Sequence, residues 1–176
     1  KARLCWKFDA VLNNVSELER AGEVGELFEI VKNLVKEFIG RERNGLMLGI
    51  SELGGQPGAF IGAFHPVGTN LIVINKSPLG IIKDTRPEYY KYYVFHLLLH
   101  EYLHTVGILD EMKTRYVTSL ISESAFGRNH PVAVISRDMT RLFPEVIYAS
   151  RGWTPNSKSP IEIVENFDDG NIRYIG

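Results

Sequence analysis

Two histidines four residues apart, with a glutamate directly after the first, make up His100-Glu101-Tyr102-Leu103-His104. On a helix, residues four apart share a face. Both imidazoles can therefore reach one ion, and Glu101 stands close enough to touch a water held there. These three groups can bind a metal and move a proton, and zinc is the expected ion. Without a metal, a glutamate between two histidines on an apolar helix would need other partners to offset its desolvation. His96 repeats the spacing one turn earlier, but it lies about 12 Å along the axis from His104, too far to share one tetrahedral ion. The pair His96 and His100 also lacks a glutamate after its first histidine. His100 and His104 are thus the expected ligands, with His96 packing against or supporting them.

A catalytic zinc needs a third protein ligand and one open position. Asp110, His130 and Glu123 compete for that role, with residues such as Glu111 behind them. His130 is an imidazole in the loop-like stretch "GRNHP", which could fold back to the ion. Glu123 would lie about 20 Å along a helix that begins near Asp110, beyond the level of the two histidines. Each also has a purely structural role open to it: Asp110 as a helix N-cap, Glu123 as an exposed helix charge, His130 as a loop histidine.

Residues 70 to 130 resemble the zincin metallopeptidases, in which HExxH supplies two zinc ligands and the general base. Counted from His100, the pattern HExxHxxGxxD is similar to the metzincin-type motif, where the glycine, here Gly107, lets the chain reverse and returns the residue at 110 to the ion. Asp110 stands where a histidine is usual. Glu123 follows His104 after eighteen intervening residues, a spacing similar to that of the gluzincins, whose third ligand is a glutamate on a second helix. A metzincin also carries a methionine turn beneath the zinc. Beyond Met112, which directly follows the motif, Met139 is the only later methionine, and its helical surroundings match that turn poorly.

The resemblance implies a zinc-dependent peptidase with Zn2+ as cofactor, metal ligands His100, His104 and Asp110, and Glu101 as catalytic base. The implied substrate is a peptide or protein segment, hydrolysed by a metal-activated water. Tyr116, Arg115, His130 and Tyr148 are candidate oxyanion donors that no spacing rule ranks. The stretch "NLIVIN" is similar in placement to the zincin edge strand that takes an extended peptide by β-augmentation, and an ordinary core strand fits it equally. A different reading keeps the metal without turnover, as a catalytically silent zincin-fold module for binding or regulation. Glu101 separates the two, because a purely structural site has no use for a general base.

The elements that must position these groups can be read from periodicity. Residues 3 to 11 alternate as a half-buried strand. Ser16 and Glu19 have capping-box spacing ahead of an amphipathic helix that runs through Val24, Leu27, Val31 and Val35 to a stop at Gly40. Strands are expected at 46–51 and 59–64, joined as a hairpin through "GGQPG", and at 70–75, with the connecting segment "KSPLGIIKD" after it. Thr85 and Glu88, with Pro87 between them, predict the start of a long apolar helix through Val106. Gly107 is expected to end it in a left-handed cap, and Asp110 to N-cap a second helix through Ala125. A weaker helix comes next, from about Val132 to Leu142, then a loop over 144–160 and a hairpin turning near Asp169-Gly170. These elements imply an α+β fold class, and the resemblance implies that it is zincin-like. A small mixed or antiparallel sheet packs on an N-terminal helix and the HExxH helix, with a second helix and a C-terminal hairpin after them. Residues 1–143 form the metallopeptidase domain, and 144–176 a loop and hairpin appended to the same domain.

The chain's 176 residues suffice for one well-buried domain. Its 20 Lys and Arg nearly balance 21 Asp and Glu, so no charge footprint for nucleic acid or an anionic membrane is present. Cys5 is the only cysteine, which excludes an intrachain disulfide and a thiolate cluster and points to a reducing, cytoplasmic setting. No apolar run reaches membrane-span length. The composition carries no expectation about oligomeric state.

Overall fold

The computed structural model describes the backbone of residues 2–54, 61–146 and 159–168, with side chains from residue 9 onward. The chain opens with helix α1 (Ala2–Arg20) and helix α2 (Val24–Ile39). The strand expected over 3–11 is therefore helical, because apolar residues two apart within so short a window are also compatible with a helix packed by its neighbours. The cap expected at Ser16 lies inside α1. The working capping box is Glu23 with Glu26, whose Oε2 accepts from the backbone N–H groups of Gly22 and Glu23 at 2.7 and 3.1 Å. Gly40 ends α2 in the left-handed conformation, as expected.

The sheet is mixed, in the order β2-β3-β1-β4, from β1 (Met47–Ser51), β2 (Ala63–Phe64), β3 (Leu71–Asn75) and β4 (Glu162–Val164). The expected hairpin of the first two strands does not form: β1 pairs in parallel with β3, and β2 lies antiparallel on the far side of β3. β3 is thus an interior strand, buried from Ile72 to Asn75, which accounts for its continuous apolar run. The edge position belongs to β2. β4 extends the sheet beside β1, while the expected turn at 169–170 and most of the 144–160 loop lie outside the described residues.

The segment after β3 is a helix rather than a connector, α3 (Lys76–Thr85), capped by the Asn75 side chain. Thr85 donates to the Ile81 carbonyl instead of capping the next helix. A 3-10 turn over Pro87–Tyr89 leads into α4 (Tyr90–Thr105). α4 runs through the middle of the molecule, against α2, α3, β2 and β3, and against α5 (Glu111–Phe126) and α6 (Pro131–Arg137). It is apolar around most of its circumference, as a helix surrounded by other elements must be. Tyr93, Phe95, Leu98, Leu99, Tyr102 and Leu103 are all fully buried. No helix among the described residues is long and apolar enough to cross a membrane.

Candidate metal centre

The C-terminal end of α4 is fixed from outside the helix. Tyr102 Oη accepts from the Arg43 backbone N–H at 2.8 Å and donates to the Arg43 carbonyl at 3.0 Å. The guanidinium groups of Arg41 and Arg43 donate to the carbonyls of Val106 and Thr105, two of the oxygens a helix end leaves without intrahelical partners. Gly107 then takes φ +96°, and the Ile108 N–H returns to the Leu103 carbonyl at 3.1 Å, closing a Schellman-type corner. Asp110 caps α5 by accepting from the Lys113 N–H at 2.7 Å. This tight corner aims the first residue of α5, Glu111, back at the face of α4.

Three donor atoms converge there. His100 Nε2 and His104 Nε2 are 3.3 Å apart, and Glu111 Oε2 lies 3.3 Å from each. A tetrahedral ion with bonds of about 2.0–2.1 Å separates its ligand atoms by about 3.3–3.4 Å, so this triangle fits a zinc-sized cation. The donor set of two imidazoles and a carboxylate matches the chemistry of such a site. His104 Nδ1 lies 2.8 Å from the Ile108 carbonyl. A carbonyl only accepts, so Nδ1 carries the proton and Nε2 offers its lone pair to an ion. The fully buried Thr114 hydroxyl donates to the same carbonyl at 2.9 Å and holds it in place. The other oxygen of Glu111 accepts from Arg115 Nε at 2.7 Å, which leaves Oε2 for the histidines.

A cavity of about 820 Å³ opens over this group, bordered by β2, α4, the start of α5 and the end of α6. Glu101 borders it too and is only 5% exposed. Burial, reinforced by the charge of Glu111, pushes its carboxyl up to about 8, while the backbone N–H of His65 pulls the other way. Burial likewise lowers His100, against the opposing charge of Glu111. Glu111 is held below the usual carboxylate range: burial works against this, but the Arg115 hydrogen bond and the neighbouring His100 and Arg115 charges outweigh it.

The residues expected from sequence divide clearly. His100, Glu101 and His104 border one cavity. Asp110, the leading third ligand, is occupied as a helix cap and is not among the convergent donors. Glu123 pairs with Arg137 at 2.5 Å. His130 caps α6, its Nδ1 accepting from the Val132 N–H, and its ring stacks on Phe126. Glu111, the neighbour of the favoured residue, takes the third corner of the triangle. Its sequence signal was weak, because adjacent carboxylates at a helix start both suit capping and the helix dipole. Met139 borders the cavity from a 3-10 turn, and Tyr148 lies outside the described residues. No protein-family model, curated protein or solved structure matches this chain.

Proposed function

We propose that this chain is a zinc-dependent peptidase of the zincin type, with His100, His104 and Glu111 as metal ligands and Glu101 as general base. The observation that carries this reading is the triangle of donor atoms, 3.3 Å on each side, in the cavity that also holds the buried carboxyl of Glu101. A metal held only for structure would need no buried carboxyl of raised proton affinity in its cavity.

Bound zinc would supply Lewis acidity, lowering the pKa of a water toward neutrality. The chain's own groups do the rest. Glu101 Oε accepts the proton of the attacking water and returns it to the departing amine nitrogen. Its burial raises proton affinity, and a dication nearby would bring that back toward working pH. Arg115 and the Ile108 carbonyl hold Glu111 and His104 in their orientations. β2 is the sheet edge that borders the cavity, so an extended peptide would add there rather than on β3.

The decisive experiment is Glu101→Gln in zinc-saturated protein, assayed on a mixture of casein peptides. The expected result is a loss of cleavage of about 10²–10⁴-fold with one zinc still bound per chain. Undiminished cleavage by Glu101→Gln would reject the proposed base. Wild-type protein that binds zinc at these residues but cleaves nothing would leave the metal-organised binding module as the better description.

A further inference from the structure

His96 is not used by the chemistry above. It lies one turn before His100 on α4, with its ring centre 6.3 Å from that of His100, and it borders the same cavity. Its Nδ1 is buried and has no hydrogen-bond partner among the described residues. An unpartnered buried polar atom costs stability, and in an apolar helix flanked by Leu97, Leu98 and Leu99 an aromatic hydrocarbon would fill the position without that cost. Packing alone therefore does not explain a histidine here. A neutral imidazole carries one N–H. With Nδ1 enclosed, Nε2 is the ring nitrogen that a ligand in the cavity can reach, and it is a donor when it carries that proton.

We propose that His96 contacts substrate, its Nε2–H donating to a main-chain carbonyl oxygen of a peptide lying in the cavity beside His100. This rests on the peptidase reading of the same site. The two-turn separation from His104 excludes His96 from a shared metal, so its contribution is to peptide recognition and orientation.

The test uses the full chain, zinc-loaded, in a Glu101→Gln background so that peptide binding is read without hydrolysis. Fluorescein-labelled casein peptides are titrated and monitored by anisotropy. Adding His96→Phe, which keeps a flat ring and removes the donor, is expected to weaken binding about 5–10-fold, and His96→Gln to recover part of that loss. Zinc affinity, from competition with a chelator, should change less than about threefold, and Tm should hold or rise because the orphaned atom is gone. With Glu101 intact, His96→Phe should lower kcat/KM about 10–100-fold. Ring ¹⁵N resonances of the unmutated His96 should shift on peptide addition, a readout that does not depend on any variant folding. Unchanged peptide binding, no resonance shift, no peptide binding by the parent, or parallel losses of zinc and Tm would each overturn the proposal. If the intact protein cleaves nothing while peptide binding still depends on His96, the peptidase reading fails and this contact stands.

Discussion

Asp110 and Glu111 are adjacent carboxylates with separate tasks. Asp110 accepts the Lys113 N–H and starts α5, whereas Glu111 sends one oxygen to Arg115 and the other to the two histidines. Substitution should separate the two. Asp110→Ala is expected to cost about 1 kcal/mol of stability through the lost cap, with zinc affinity within about threefold of the parent. Glu111→Ala should weaken zinc by about 100-fold or more and leave the urea midpoint of the metal-free protein nearly unchanged, since Glu111 is half exposed. Chelator competition and urea titration on both variants read these outcomes. The reverse pattern would make Asp110 the ligand.

The corner between α4 and α5 turns one helix face and one helix start into a site. Gly107 is its hinge: φ +96° disfavours a side chain, while a Cβ there would meet only Arg41 Nη1, at 3.5 Å, an ordinary contact. The cost of Gly107→Ala is therefore backbone strain, about 1–2 kcal/mol. Because the same corner aims Glu111, zinc affinity should fall with it. Urea unfolding with and without zinc distinguishes the effects: a larger loss in the zinc-bound form places the corner in the metal site, and equal losses restrict it to the fold.

The segment ending in residue 168 is part of the central packing. Phe167 stacks on Phe28 with ring centres 4.2 Å apart, and a Cβ on Gly25 would come within 2.8 Å of the Asn166 carbonyl oxygen. Lys32 Nζ meets Asp168 at 2.6 Å, both side chains 2% exposed, and the second oxygen of Asp168 accepts the Leu46 N–H ahead of β1. Burial alone would depress Lys32, but the hydrogen bonds and charges of Asp168 and Glu29 outweigh it and hold the ammonium above the usual lysine range. A folded pKa raised above the unfolded one gives stability that is full below about pH 10.4 and is lost as pH rises through the folded value. The urea midpoint should thus fall above about pH 10.4, and Asp168→Ala should remove most of that contribution. At neutral pH this variant is expected to cost about 3 kcal/mol, because it leaves a buried charge with the half-exposed Glu29 and a long 3.5 Å contact to Asn44 Oδ1. A loss below about 1 kcal/mol would show that the tail is not tied down through this pair.

The approach of His100 to His104, the Gly107 corner and the Asp110 cap are legible in the sequence because each depends on contacts within a few residues along the chain. The same locality made Gly40 a reliable helix stop. Pairings between distant segments are not encoded in that way. The parallel register of β1 with β3, the edge position of β2 and the helical state of residues 3–11 depend on which surfaces meet after collapse. The choice between Asp110 and Glu111 belongs to the same class. Both are acids at a helix start, and only the folded angle between α4 and α5 sets which carboxylate faces His100 and His104. The sequence by itself determined that two imidazoles and a glutamate share one helical end. Tertiary structure decided which carboxylate completes the triangle, because that depends on the direction of a side chain across a turn.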